Sequence, residues 1–479
     1  MKPAGGLGSF LRSLSAHPVG FVGVLVTTTS AVLLGTLIFL DLVHMIHSPY
    51  LGVLTFLVLP GIFVAGLALI PIGRWLQSRR KGGAVVVDLN EPRHQNKLIL
   101  VFVLTVVNVT VLSVATYRAV EFSDSNTFCG KLCHEVMEPE YTAYQGSPHS
   151  RVDCVACHIG SGAGFFVRYK INGLSQVIAV MTNSYSRPIE TPVANLRPAR
   201  ETCEQCHWPE KFHGDKLIVK SHFGEDETNT RYDTVMLLKV GGGSSESGFS
   251  SGIHKHMSLD NTVRFISSDR ERQDIVWMEV ERKSGEKIVY TKAGVEISDS
   301  LLTYGEKHQL DCIDCHNRPT HAYQSPERAL DNAFIEGQLD PGLPRLKRLG
   351  LDLLTAEYES KDDALRAIPA KVDEFYRENY AEVYTQFRSS IERAGITVRD
   401  IYARNIFPSM NITWNTYPDH IGHLDGGGCF RCHAGEHTTA DGKEVTSSCD
   451  ACHTLLAEEE EQPPILHALF PNRDQPVAR

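Results

Sequence analysis

No cysteine precedes Cys129 in this 479-residue chain, and the first 117 residues contain only three acids: Asp41, Asp88 and Glu91. Against them stand eight basic residues, so the sparse charge of this head is mostly of one sign. A stretch without cysteine excludes a disulfide-stapled N-terminal domain. The remainder lacks something different. Residues 118–479 hold 39 basic and 54 acidic residues, a net of −15, and offer no positive face to phosphates. Nucleic acid is excluded as a partner on that ground. With 42% hydrophobic and 22% charged residues overall, neither a disordered chain nor a fibrous repeat is expected.

Three stretches carry no formal charge: Val19–Leu40, Leu51–Gly73 and Leu98–Tyr117. About 20 apolar residues suffice for a helix to cross the hydrocarbon core, and each stretch is long enough. No small-residue cleavage site follows the first, which reads as a retained span rather than a signal peptide. Lys2 and Arg12 precede the first span, six basic residues fall in 74–97, and none falls in 41–50. The positive-inside rule then puts the N-terminus and the 74–97 loop in the cytoplasm. Everything after Arg118 is expected outside it, at a bacterial cytoplasmic membrane.

All twelve cysteines lie in that outer part. Export suggests six disulfides, but the spacing argues otherwise. Five pairs are C-x-x-C: Cys154/Cys157, Cys203/Cys206, Cys312/Cys315, Cys429/Cys432 and Cys449/Cys452. Each is followed at once by a histidine: His158, His207, His316, His433 and His453. A sixth pair, Cys129/Cys133, has one more residue between its cysteines and is followed by His134. C-x-x-C-H is the signature of covalent haem c: two thiols add to the porphyrin vinyl groups and the adjacent imidazole reaches the iron. Zinc uses the same residue types but requires no histidine fixed at that one position. Six haems are expected.

A second ligand for each iron calls for further residues. Eleven histidines lie outside the motifs after Arg118: His149, His213, His222, His254, His256, His308, His321, His420, His423, His437 and His467. That number suffices for bis-histidine ligation, the arrangement suited to electron transfer. The favoured ligands are His149, His213, His254 or His256, His321, and His420 or His423.

From about Leu98 to His207 the chain resembles the NapC/NirT family of membrane-anchored multihaem quinol dehydrogenases. One helix, Leu98–Tyr117, runs into Asn126–Met137 with its Cys-x-x-x-Cys-His, then Glu140-Tyr141, Ser147-Pro-His149, Cys154–His158 and Lys170-Ile171. The resemblance implies that a methionine three residues after the first motif histidine ligates the first iron, which here is Met137. It also implies a lysine near the quinol site, matched by Lys170, and an acid six or seven positions further on. Gln176 or Val177 stands there instead. The first motif's wider spacing and the two spans before Leu98 also depart from the family plan. Those spans bring Asp41, His44 and His47 to the outer end of the first, where ionisable groups are candidates for a functional part.

Between His207 and Cys312 the pattern turns to strands. Residues 274–282 and 287–291 read as a hairpin across Lys283–Glu286, with further strands at 235–240 and 262–266. The Gly/Ser-rich stretch 241–252 reads as a mobile loop. It leads to His254-Lys-His256, whose alternate residues are expected on one strand face. From Ser325 the pattern is helical, with Ser325-Pro326 and Ser360 as helix starts and Gly395 as a helix end. Glu458–Glu461 reads as a solvated tail.

The expected whole is a membrane-anchored multihaem cytochrome c. A three-helix anchor (1–117) carries a periplasmic, mostly α and irregular haem domain with a small β insertion, divided as 118–215, 216–310 and 311–479. Its partners are the lipid bilayer, membrane quinol, and a redox protein or membrane complex as acceptor. Two other readings remain: a terminal reductase with one open haem, and a non-catalytic wiring subunit.

Overall fold

The computed structural model describes residues 17–42, 54–81, 92–132, 134–160, 163–193, 197–241, 252–257, 261–423 and 427–471. It divides into two compact units, 1–137 and 138–479. Helices of ten or more residues are labelled in chain order.

The first unit holds α1 (Pro18–Leu42), α2 (Leu59–Lys81, entered by a π turn at Leu54–Val58) and α3 (Pro92–Asp124). All three are long and apolar enough to cross a membrane, over Pro18–Leu40, Leu59–Arg79 and Phe102–Asp124. The helices outrun the charge-free stretches because charged end residues remain helical once outside the apolar core. α1 and α2 pack at backbone contact. A Cβ added to Gly73 would collide with the Gly20 backbone, and one on Gly23 would meet the Gly66 carbonyl at 2.9 Å. Small residues permit that approach where no hydrophobic effect drives helices together. Hydroxyls on the same helix turn inward: Thr27 Oγ1 donates to the Gly23 carbonyl at 2.8 Å and Ser30 Oγ to that of Val26 at 2.6 Å. Leu34 and Phe63 close the contact.

The second unit opens within α4 (His134–Gln145), followed by α5 (Ala163–Met181). Its two sheets take strands from well-separated parts of the chain. One has the order β1 (Asp215–Phe223), β2 (Arg231–Lys239), β8 (His453–Glu460). The other has the order β6 (His308–Gln309), β3 (Asn261–Ser267), β4 (Ile275–Arg282), β5 (Lys287–Lys292), β7 (His437–Thr438). The β4–β5 hairpin turns on Gly285, which has φ +84°, as the Lys283–Glu286 signal suggested. Arg264 on β3 ties to Glu279 and Glu281 on β4. Ile275–Met278 is buried throughout, covered on both faces. The sheets thus reach beyond 216–310: β8 contains Glu458–Glu460, expected as tail but paired with β2 while its side chains stay exposed.

A helical lobe follows the fourth motif: α6 (Pro326–Ile335), α7 (Leu346–Thr355), α8 (Lys361–Asn379) and α9 (Arg388–Asn405). Ser325 Oγ accepts from the Arg328 amide and Ser360 Oγ from that of Asp363, so both expected N-caps form. Leu330, Leu343, Leu354, Ile368, Val372, Tyr376, Ile391 and Val398 make the lobe's core. Gly395 does not end a helix. It lies inside α9, where a Cβ would sit 3.1 Å from Pro369 Cα of α8, so its role is close helix approach.

Candidate functional site

Short turns present the cysteines. Cys154–His158 and Cys312–Cys315 are single α-helical turns, Phe430–His433 is another, and Cys449–Ala451 is a 3-10 turn. One helical turn puts residues i and i+3 on the same side, as two bonds to one porphyrin require. At the fourth motif a capping box fixes the turn: Asp311 accepts from the Cys312 amide and Asp314 from the Asp311 amide, both at 2.7 Å. The first motif behaves differently. Cys129 lies in a π turn, Phe128–Leu132, a wider coil that accommodates the extra residue. Cys133 and the His134 side chain lie outside the described residues. The eleven described cysteines are free of disulfides.

Each of the five described motif histidines faces a second histidine from elsewhere in the chain. Ring centres are 6.2 Å apart for His158 and His321, 6.0 Å for His207 and His149, and 6.5 Å for His316 and His254. His433 and His256 are 5.7 Å apart, His453 and His423 6.3 Å. Two imidazoles on opposite sides of one iron, with metal–nitrogen bonds of about 2 Å, have centres roughly 6 Å apart. The five pairs fit that span. Among the described residues no group of three or more His, Cys, Asp or Glu side chains could hold a metal ion unaided. The pairs suit a metal that brings its own equatorial ligands, as a haem does.

The Nδ1 contacts match this arrangement. Nδ1 of His149 meets the Pro319 carbonyl at 3.4 Å, that of His254 the Val240 carbonyl at 3.0 Å and that of His256 the Ile253 carbonyl at 2.8 Å. His321 Nδ1 meets the Glu140 carbonyl at 2.9 Å, and His433 Nδ1 that of Thr446 at 2.7 Å. A hydrogen bond from Nδ1 fixes the tautomer and leaves Nε2 for a metal. Burial pushes the imidazoles of His158, His254, His256, His316 and His321 below the usual histidine range, towards the neutral form that ligates.

His254 and His256 do not share a strand face. They lie on a 3-10 turn, Ile253–Met257, that follows Gly252 at φ +77°. At three residues per turn, positions i and i+2 point about 120° apart. Hence one histidine turns to the fourth motif and the other to the fifth. The loop before them, 242–251, lies outside the described residues. Exposed His213 meets no motif histidine among the described residues. His420 is buried with both nitrogens engaged: Nδ1 donates to the Asp314 carbonyl at 3.0 Å and Nε2 accepts from Gln273 at 2.6 Å. Buried His437 uses Nε2 on the Ile275 carbonyl.

The motifs adjoin one another in chain order. Cys157 lies near Cys203 and Cys206, and the side chains of Cys203 and Cys312 lie close together. Cys315 feels Cys429, and Cys452 feels Cys429 as well. Motifs two to six therefore form one connected series.

Met137 is half-buried on α4. Lys170 is half-buried on α5, beside a stripe of exposed apolar residues at helical spacing: Ile171, Leu174, Ile178 and Met181. Met181 is 81% exposed. His44 and the Asp41 side chain lie outside the described residues.

Comparison with known proteins adds sequence kinship. Residues 91–193 match the N-terminal region of the NapC/NirT cytochrome c family, covering α3 and the first two motifs. Over 457 residues, 94% of this chain and 89% of the relative, the sequence is 43% identical to the cytochrome c-type protein ImcH of Geobacter sulfurreducens. No solved structure matches the chain.

Proposed function

This chain belongs to the NapC/NirT cytochrome c family, and from that premise we propose that it takes electrons from membrane quinol and passes them along six covalently bound haems. The acceptor is a protein outside the cytoplasm or a larger membrane complex. When bound, the haems supply reversible one-electron chemistry. The chain supplies attachment, ligands and spacing. Each cysteine pair would attach one haem and the following histidine would ligate it, with His321, His149, His254, His256 and His423 as the second ligands at motifs two to six. Met137 completes the first by the family's spacing.

The observation that carries this reading is the five histidine pairs. A haem held by a motif histidine and its facing partner would exchange electrons and have no place left for a substrate. That favours transfer over the terminal-reductase reading, which requires an open position. The connected series of motifs supports a single path. The charge pattern of the three spans supports a cytoplasmic N-terminus and a periplasmic haem domain.

Quinol entry falls to Lys170. A quinol must lose protons as it loses electrons, and a cation beside its hydroxyl lowers the hydroxyl's pKa. The exposed apolar stripe of α5 suits an isoprenoid tail on the same surface. Asp41 and His44 are further candidates for proton transfer. The experiment is haem reduction by a short-chain menaquinol analogue with the purified chain alone. The parent is expected to reduce. Lys170→Met, with full haem content, is expected to reduce at least tenfold more slowly with quinol but normally with dithionite. A parent that dithionite reduces and quinol does not would overturn the quinol reading and leave a wiring subunit.

A further inference from the structure

The fourth and fifth motifs are joined by a buried bridge made from the residues between their cysteines. Asp314, in Cys312–Cys315, is 2% exposed. Arg272 Nη1 donates to its Oδ1 at 2.7 Å. Arg431, in Cys429–Cys432, donates through Nη2 to the Asp314 carbonyl and through Nη1 to the Arg272 carbonyl at 2.8 Å. His420 and Gln273 close the ring on the same Asp314 carbonyl.

The backbone is shaped for this contact. Arg272 has φ +58°, the left-handed region that a branched or long side chain seldom adopts, and its neighbours hold it there. Gln273 and Asp274 amides both donate to Asp269, at 2.9 and 2.7 Å, fixing the turn that aims Arg272 inward. One guanidinium, half-buried Arg272, thus meets the Asp314 carboxylate, and the other, half-buried Arg431, meets the carbonyl of the same residue. No surface charge is needed there for solubility, and burying charge is costly unless it is paired.

A residue between two thioether-forming cysteines cannot move apart from the porphyrin they hold. We propose that Arg272 and Arg431, joined through Asp314, are positioning residues: they lock the fourth and fifth haem loops into one rigid pair and set the potential that both haems feel. The proposal rests on the reading of these motifs as haem loops, and covalent haem content tests that reading separately.

The sign of the effect is the test. A buried positive charge near an iron disfavours its oxidised state, so removing the charge lowers the reduction potential, and removing a negative charge raises it. Spectroelectrochemical titration of the full chain is carried out on the parent, Arg431→Gln, Arg431→Lys and Asp314→Asn, each with its haem count from intact mass. With six haems throughout, Arg431→Gln is expected to lower the potentials of two haems together and Asp314→Asn to raise the same two. Arg431→Lys is expected to stay near the parent. Should Arg431→Gln fail to accumulate, Arg272→Gln tests the same sign. Unmoved potentials, or a shift in the same direction for both charge removals, would overturn the proposal. A parent lacking haem at either motif would instead overturn the reading of the motifs.

Discussion

His420 and His423 stand three residues apart and have opposite surroundings. His420 is 5% exposed and spends both ring nitrogens on the protein, which leaves nothing for a metal. Burial and the nearby Arg431 charge hold its imidazole down at about 4, so it stays neutral at any physiological pH. His423 stacks on Phe430 at 4.3 Å and faces His453. Sequence alone left the two as alternatives because spacing carries no burial. The same applied to His254 and His256, expected together on one strand face, where the 3-10 turn instead sends them to two different motif histidines. Replacing each histidine by alanine separates the roles. His423→Ala is expected to turn one haem from six- to five-coordinate, seen as a high-spin signal in the electronic spectrum. His420→Ala is expected to leave every haem low-spin and to cost about 1–3 kcal/mol of stability, the penalty for leaving buried partners unpaired. A high-spin signal in His420→Ala would reverse the assignment.

At the scale of elements, local pattern went furthest where it was strongest. The charge-free stretches, the Ser325 and Ser360 caps and the β4–β5 hairpin depend on residues close in sequence, and all appear in the structure. What sequence did not disclose depends on distant partners. β8 becomes a strand because β2 offers it an edge, although it contains Glu458–Glu460 of an acidic run that resembles a tail. Gly395 resembles a helix stop until Pro369 of α8 is placed against it. The three long helices allow a direct check of orientation. A reporter active only outside the cytoplasm is expected to be active when fused after Arg118 and silent when fused at residue 81. The reverse pattern would place the cysteines in the cytoplasm, where covalent haem attachment of this type does not fit.

For the whole molecule, the cysteine–histidine motifs were legible in the sequence, because each is a short local signal, of five residues in five cases and six in the first. The histidines that face them were not, because His158 and His321, or His207 and His149, meet only through the fold. Function therefore becomes readable when the two are combined: cysteine–histidine motifs from sequence, and paired imidazoles from structure. Intact mass together with magnetic circular dichroism on the purified, oxidised full chain tests this most directly. The account predicts six covalent haems, of which five are low-spin with bis-histidine ligation and one has a different axial set. Fewer than six haems, or high-spin character in more than one of them, would contradict it.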